Sequence, residues 1–85
     1  MEPRYDPERS EAVRRAVIAR LGSPYLTTAQ AAHYCRLSER TMKQMRADGR
    51  GPRYHKIEGR FIRYHIDDLD AWLQARLRQP DLFDQ

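Results

Sequence analysis

The fold is decided by the stretch TTAQAAHYCRLSERTMKQMRADGRGPRYHKIEGRFIRY, which occupies residues 27–64. Its first residue, Thr27, precedes Gln30 by three positions, which is the spacing of a reciprocal capping box at the start of a helix. Ser38 is the next natural N-cap, because its hydroxyl can accept a free amide of the first helical turn. The spacing predicts a short helix from Thr27, a tight turn, and a second helix that begins at Glu39.

The second helix, residues 39–48, divides its side chains between two faces. At about 100° per residue, Met42 and Met45 share one face. The opposite face carries Arg40, Lys43, Gln44 and Ala47. We expect the first face to pack and the second to read a partner. Gly49 supplies the left-handed position that ends the helix, and the proline of Gly51-Pro52 prevents its continuation.

Two β-prone runs follow, separated by Glu58-Gly59, and this pattern is typical of a β-hairpin. A two-residue turn would place His55, Ile57, Ile62 and Tyr64 on one face and Tyr54, Lys56, Phe61 and Arg63 on the other. A bulge would exchange the faces and make Tyr54 the buried aromatic. The predicted fold class is mainly α with a small β-hairpin: a winged helix-turn-helix with an extra N-terminal helix.

The flanking segments complete the predicted organisation. Residues 1–7 lack periodicity and are interpreted as a flexible arm. Residues 8–22 form an amphipathic helix ended by Gly22, with apolar residues spaced three and four apart: Ala12, Val13, Ala16, Val17 and Leu21. This helix either closes one side of the core or contacts a neighbouring protomer or another protein.

Residues 23–77 form the predicted winged helix-turn-helix domain, which ends in a third core helix. Asp67 and Asp68 lie in its first turn, where they complement the helix dipole. Its apolar stripe is Leu69, Trp72, Leu73 and Leu77. Trp72 is interpreted as a core residue at this spacing. Residues 78–85 are a short polar tail.

Positive charge is concentrated in the middle of the chain. Of a net +4, residues 36–64 hold nine Lys or Arg against three acids, a local +6. Residues 65–85 hold two Arg against five Asp, a local −3. The positive field therefore coincides with the turn, the second helix and the hairpin, which indicates double-stranded DNA as the partner.

Length and composition bound the function. A chain of 85 residues has the size of a binding module, with a small core and no room for a conventional enzyme cleft. No apolar run approaches the roughly 20 residues that span a membrane, and no signal peptide is evident. His33, Cys35, His55 and His65 lack zinc-site spacing. We expect no metal, no cofactor and no catalysis, and a cytoplasmic protein that associates with the bacterial nucleoid through DNA.

An ordered set of residues between about 25 and 77 resembles the excisionase and AlpA-like branch of the MerR-type winged helix-turn-helix proteins. The set is Tyr25-Leu26-Thr27-Thr28, Ala31-Ala32, Leu37-Ser38, Arg40-Thr41, Gly49, Gly51-Pro52, Tyr54, Lys56, Gly59, Arg63-Tyr64, Asp68-Leu69 and Ala71-Trp72-Leu73. The resemblance implies that the second helix enters the major groove and that the hairpin tip follows an adjacent minor groove. Met45 departs from relatives that often carry a larger aromatic there, and Cys35 replaces a usual apolar residue.

The resemblance also implies a role as a recombination directionality factor, which lets an integrase of the tyrosine recombinase type excise a mobile element. Such factors bend DNA and self-associate along it. The acidic third helix and tail are candidates to meet a neighbour's basic segment. The alternative is a small transcription regulator that uses the same module at a promoter.

Side-chain chemistry assigns the DNA contacts. Arg40 can pair with guanine, Gln44 with adenine, and Lys43 with a guanine edge or a phosphate. The residues suited to phosphates are Arg36, Ser38, Thr41 and Arg46. For Arg46, a salt bridge to Glu39 or Asp48 is equally available. The wing residues assigned to the backbone or minor groove are Lys56, Arg60 and Arg63.

The C-terminal tail raises a second alternative function. Gln79, Leu82 and Phe83 resemble the peptide through which bacterial proteins bind the sliding clamp, in which Gln is followed two residues later by Ser or Asp and then by Leu-Phe. An exposed tail is where such a peptide would have to lie. Under this hypothesis the protein is an adaptor that binds the clamp.

Overall fold

A computed structural model describes residues 7–77. The elements are α1 (Pro7–Leu21), β1 (Tyr25–Leu26), α2 (Thr28–Cys35), α3 (Glu39–Asp48), β2 (His55–Ile57), β3 (Phe61–His65) and α4 (Ile66–Leu77). The protein is mainly helical with a three-stranded antiparallel sheet in the order β1-β3-β2. This arrangement is compatible with a winged helix-turn-helix and confirms the predicted fold class. The predicted arm, apart from Pro7, and the tail lie outside the described residues.

The caps of α2 and α3 agree with the sequence prediction. Thr27 Oγ1 accepts the Gln30 amide at 3.2 Å, and Gln30 Oε1 accepts the Thr27 amide at 2.9 Å. Ser38 Oγ accepts the Thr41 amide at 3.0 Å. Gly49, at φ +70°, ends α3 in the left-handed conformation that glycine adopts without strain. Local hydrogen bonds therefore fix both ends of α3.

The segment after α3 turns back onto that helix. A Cβ on Gly51 would lie 3.1 Å from Met45 Cβ, so the backbone passes close to α3 and a larger residue would require a shift of a few tenths of an ångström. Pro52, directly after it, is buried. The hairpin consequently starts from a point anchored against the buried face of α3.

Of the two hairpin registers that the sequence allows, the structure has the one with an extra residue and not the direct two-residue register. Glu58 and Gly59 both have positive φ, and the Arg60 amide bonds to the Ile57 carbonyl, but the strand pair that closes the loop is Ile57–Phe61. Arg60 is therefore an extra loop residue, and the strands are shifted by one position against each other. One face now carries His55, Ile57, Phe61 and Arg63, and the other carries Lys56, Ile62 and Tyr64.

Tyr64, and not Tyr54, is the buried aromatic of the sheet. Tyr64 is 1% exposed and pairs with Leu26, which is fully buried. Tyr54 is 40% exposed, with its ring centroid 6.1 Å from that of Tyr64. The inner face of the sheet thus packs on the helices through Leu26 and Tyr64, while Tyr25 and His65 lie on the outer face.

The core is small, and its buried residues all lie within residues 23–77, the predicted winged helix-turn-helix domain. Its buried members are Leu26, Ala31, Ala32, Cys35, Met42, Met45, Tyr64, Ile66 and Leu69. Trp72 and Leu73 pack against this cluster, as expected for the third core helix. The Leu77 side chain lies outside what the structure describes. Within residues 7–77, none of the helices is both long and apolar enough to cross a membrane.

Helix α1 packs less closely than its sequence pattern predicted. Of the five apolar residues assigned to its stripe, only Val17 and Leu21 pack against the core, joined by Ile18. Ala12, Val13 and Ala16 are exposed. The face is rotated because Arg14 points to α4, where Asp67 accepts its hydrogen bond. No residue of α1 is fully buried, so polar contacts contribute to holding it.

Candidate nucleic-acid interface

The exposed face of α3 presents the residues predicted to read bases. We call Arg40, Lys43 and Gln44 the reading face. Together with Glu39 and Ala47 they line an open groove on the surface. Met42 and Met45, 0% and 5% exposed, occupy the opposite side of the helix and pack into the core. Burial of the methionines therefore sets the rotation of α3 and directs the reading face to solvent.

The three side chains of the reading face differ in their internal bonds. Lys43 Nζ lies 3.4 Å from Glu39 Oε2, and Gln44 Nε2 donates to Asp48 Oδ1 at 3.2 Å. Arg40 has no hydrogen bond or ion pair to any residue of the described range. Arg40 can therefore engage a ligand without losing an internal contact, whereas Lys43 and Gln44 must first exchange theirs.

Arg46 lies inside the domain and not on its open surface. Its Nη1 donates to Thr28 Oγ1 at 3.1 Å and to the Tyr64 hydroxyl at 3.0 Å. Its guanidinium also lies 5.7 Å from the centroid of the Tyr54 ring. These contacts replace the salt bridge to Glu39 or Asp48 that the sequence left open. Arg46 joins α2, α3 and β3, so it braces the reading helix.

The other residues assigned to phosphates surround the turn between α2 and α3. Arg36 is exposed and closes α2 at φ +62°, ψ +40°, a left-handed conformation that is unusual for a residue with a side chain. Ser38 Oγ donates to Thr41 Oγ1 at 2.9 Å, so the two hydroxyls form one polar group at the start of α3. Arg36 has no side-chain bond within residues 7–77.

The wing residues predicted to contact DNA lie on both faces of the hairpin. Lys56 is exposed and has no bonded partner in the described chain. The Arg60 guanidinium lies 4.7 Å from the centroid of the Phe61 ring. Arg63 Nη1 donates to the Ile62 carbonyl at 2.8 Å. The structure therefore brings the three cations to one hairpin without bringing them to one face.

The site assignment from the sequence omitted Arg53, although it was counted in the local charge. Arg53 is exposed, immediately follows the buried Pro52, and has no side-chain bond among the described residues. It lies in the segment between α3 and β2, outside any helical face. Its position directly after a proline, at which the chain must turn, was the one indication of its exposure. A helical wheel gives no information about a residue outside a helix.

A second polar cluster, which we call the α1–α4 seam, consists of Glu11, Arg14, Tyr34, Asp67 and Asp70. Arg14 donates to Glu11 Oε2 at 2.6 Å and to Asp67 Oδ1 at 3.0 Å, and its Nε lies 3.7 Å from Asp70 Oδ2. Tyr34 donates its hydroxyl proton to Asp70 Oδ1 at 2.6 Å. The hydrogen bond from Arg14 lowers the pKa of Glu11.

Burial dominates the electrostatics at the inner end of the seam. It raises the pKa of the Asp70 carboxyl above the ordinary value, although the Tyr34 hydrogen bond and the Arg14 charge lower it. Burial, aided by Asp70, raises the pKa of the Cys35 thiol to about 12. Cys35 is 6% exposed and belongs to the core, so it packs as a small apolar side chain at a position where relatives usually carry an apolar residue.

The acidic residues of α4 are engaged within the chain. Asp67 bonds to Arg14, Asp68 Oδ2 lies 3.6 Å from His55 Nε2, and Asp70 accepts from Tyr34. The predicted head-to-tail contact with a neighbour's basic segment would have to displace these partners. Among residues 7–77, no group of three or more His, Cys, Asp or Glu side chains is arranged to hold a metal ion.

Comparison with known proteins identifies the family of this chain. The search of curated proteins found no match. The family described as "Helix-turn-helix domain" matches residues 25–77, which is 53 of the 85 residues. This family includes AlpA- and excisionase-like small DNA-binding proteins, and membership supports sequence-specific DNA binding. The chain therefore belongs to the helix-turn-helix domain family.

Proposed function

We propose that the protein is an architectural protein that binds specific double-stranded DNA, acting as an excisionase, or recombination directionality factor. It would assist an integrase of the tyrosine recombinase type in excising a mobile element, and would act on the nucleoid in the cytoplasm without catalysis of its own. The observation that carries the proposal is the reading face of α3, an exposed polar surface opposite two buried methionines. The resemblance of residues 25–77 to excisionases supports the more specific role.

In this proposal α3 enters the major groove and Arg40 supplies the main base contact. Its guanidinium is free of internal partners in the described chain and can form a bidentate pair with guanine. Gln44 reads adenine after releasing Asp48, and Lys43 reaches a guanine or a phosphate after releasing Glu39. Because these two must exchange bonds, we assign them smaller contributions than Arg40.

Phosphate contacts fix the register of α3 on the duplex. Arg36, Ser38 and Thr41 are grouped at the turn before α3, and their exposed side chains suit backbone oxygens. Arg46 acts mainly as a brace, since one of its nitrogens is held by Thr28 and Tyr64. In the wing, Lys56, Arg60 and Arg63 contact the backbone of the adjacent minor groove.

The proposal is tested by a footprinted gel-shift titration on a long duplex. The duplex spans the upstream region of the gene and any nearby integrase attachment site, and a random duplex of equal length serves as the control. We expect cooperative protection of adjacent repeats beside the attachment site, because directionality factors self-associate along DNA. An excision assay with the cognate integrase should then depend on the same repeats.

Other outcomes of this titration contradict the proposal in distinguishable ways. Protection of a single site overlapping a promoter would replace the excisionase role with transcription regulation. Equal, weak and salt-sensitive binding to both duplexes would overturn sequence-specific recognition altogether. Clamp binding through Gln79, Leu82 and Phe83 lies outside the described residues and stays a separate prediction, which a pull-down with the Leu82→Ala/Phe83→Ala variant tests.

A further inference from the structure

The tip of the wing carries a pair of large apolar side chains that remain nearly half exposed in the described chain. Ile57 and Phe61 are 47% and 44% exposed and face each other across the hairpin as the strand pair next to the loop. Every residue from Arg53 to Phe61 is exposed, so the tip stands clear of the core. A contiguous apolar pair in this position marks a contact surface better than a single scattered hydrophobic residue does.

The shifted register of the hairpin creates this pair. In a two-residue hairpin, Ile57 would oppose Arg60, and Phe61 would lie on the other face. The extra loop residue instead pairs Ile57 with Phe61 and places both on the outer face. Both Glu58 and Gly59 adopt positive φ to make this loop, and this conformation is unfavourable for Glu58. The extra loop residue, Arg60, therefore determines that Ile57 and Phe61 share one face.

The surroundings of the pair are positively charged. The Arg60 guanidinium lies over the Phe61 ring, Arg63 shares its face, and Lys56 is next to Ile57 on the strand. Glu58 is the only acidic residue between 53 and 64. Apolar side chains that enter the minor groove and partly unstack a base step are a known way of bending DNA. Flanking cations suit them to a groove lined by phosphates.

We propose that Ile57 and Phe61 form an apolar wedge that enters the DNA minor groove, unstacks one base step and bends the duplex, while Arg60 and Arg63 hold the flanking phosphates. The inference rests on the proposed function, because it requires that α3 first dock the protein on DNA. It adds the residues and the mechanism of bending. In this arrangement α3 selects the sequence and the wedge deforms it.

A protein partner fits the tip less well than DNA does. An acidic surface would be needed to match the surrounding arginines. In a second copy, two of the acidic residues of α4 are already bonded, Asp67 to Arg14 and Asp70 to Tyr34, and Asp68 lies 3.6 Å from His55. The exposed positive charge around the wedge is therefore complementary to phosphate, whereas most of the acidic charge of α4 in another copy is already engaged within that copy.

The test compares Ile57→Ala and Phe61→Ala with Val13→Ala. Val13 is as exposed as Ile57, at 47%, but lies on α1, so its variant controls for the loss of an exposed aliphatic group. The probes are duplexes that carry the footprinted site with 2-aminopurine at successive positions beside it, and the same site with fluorophores on both ends. Sedimentation of the free proteins reports self-association.

We expect wild type and Val13→Ala to raise 2-aminopurine fluorescence at one step and to shorten the end-to-end distance. Ile57→Ala and Phe61→Ala should lose most of both signals while they retain the specific footprint. Their affinity should fall by no more than about tenfold. The variants lose the contacts of the wedge, but they also no longer unstack a base step, which itself costs free energy. Arg40→Ala should behave oppositely, with weaker specific binding and a normal bend at saturation.

Three results would overturn the wedge. A specific wild-type footprint without increased fluorescence at any position would remove the wedge alone and leave the proposed function intact. Equal bending by wild type and both wing variants, with self-association lost in the variants, would assign the pair to a protein interface. The absence of any specific wild-type footprint would overturn the proposed function and the wedge together.

Discussion

The α1–α4 seam and the proposed DNA-facing surface use charged side chains in different ways. In the seam, Arg14 alone contacts three carboxylates, and the Asp70 carboxylate contacts both Arg14 and the Tyr34 hydroxyl. On the DNA-facing surface, Arg36, Arg40 and Lys56 have no bonded partner within residues 7–77. The difference teaches that a count of charges does not locate a binding surface. What distinguishes the surface is the set of cations that the fold leaves available.

The largest expected effect comes from removing the most available of these cations. Arg40→Ala should cost roughly 1–3 kcal/mol of binding free energy on the specific site and relax base preference at one position. The matched control is Arg15→Ala, which removes one positive charge from an exposed pair on α1. Gel-shift titration on specific and random duplexes separates the two. Equal weakening of both duplexes by Arg40→Ala would contradict base reading.

In the α1–α4 seam, the other region of this comparison, removing Arg14 should lower the stability of the fold. Arg14→Gln withdraws the positive charge from Asp70, whose side chain is only 14% exposed. We expect the free energy of unfolding to fall, because a partly buried carboxylate loses its cation. Urea denaturation measures the loss, and Arg15→Ala again serves as the control. Changed base preference in a folded Arg14→Gln protein would mean that the seam contacts DNA.

Lys56→Ala should weaken binding without changing sequence preference. Lys56 is exposed on the wing and has no internal partner in the described chain. Loss of one phosphate contact should reduce the slope of log affinity against log salt concentration by about 1 and weaken all duplexes alike. Titrations at several salt concentrations provide the slope. A loss restricted to the specific duplex would assign Lys56 to a base edge instead.

Arg36 is an available cation whose backbone conformation is unfavourable. Replacing it tests whether DNA binding depends on a cation that lowers the stability of the fold. Its φ of +62° suits glycine, so Arg36→Gly should raise the free energy of unfolding by up to about 1 kcal/mol. The same variant should bind all duplexes more weakly, because it loses a phosphate contact. Arg36→Lys, which keeps both the charge and a β-carbon, should restore most binding without the gain in stability. Unchanged binding by Arg36→Gly would remove Arg36 from the interface.

The parts of the fold that the sequence predicted are those determined by nearby residues. The caps at Thr27, Ser38 and Gly49 depend on bonds spanning three or four positions, so the sequence pattern carries all the needed information. The rotation of α3 follows from helical periodicity. The reading face could be assigned for the same reason, although the bonds of Lys43 and Gln44 to acids one turn away distinguish Arg40 only in the structure.

The features that escaped prediction depend on distant partners or on an unusual backbone conformation. Arg14 turns the packed face of α1 because of Asp67, 53 positions away, and no local pattern signals that contact. Arg46 bonds to Tyr64 across 18 positions for the same reason. The hairpin register depends on Arg60, which is an extra residue between the turn and the Ile57–Phe61 strand pair. The sequence allowed the register with this extra residue and the one without it, and local propensity does not distinguish them.

The smallest expected effect concerns the pH dependence of the seam. Burial raises the pKa of the Asp70 carboxyl in the folded protein, whereas in the unfolded chain it is close to about 3.9. The folded state therefore keeps this proton at pH values where the unfolded state has lost it. The resulting contribution to stability is fully present below the unfolded pKa and is lost as pH rises through the folded pKa.

Asp70→Asn isolates this contribution, because the amide oxygen can still accept the Tyr34 hydroxyl but does not titrate. The free energy of unfolding of wild type, minus that of Asp70→Asn, should increase as pH falls towards about 4. Its slope cannot exceed about 1.4 kcal/mol per pH unit for one proton. Glu11 titrates in both proteins, so its opposite contribution largely cancels in the difference. A difference that instead decreased on acidification would mean that Arg14 outweighs burial, and the seam would then be an ordinary ion-pair network.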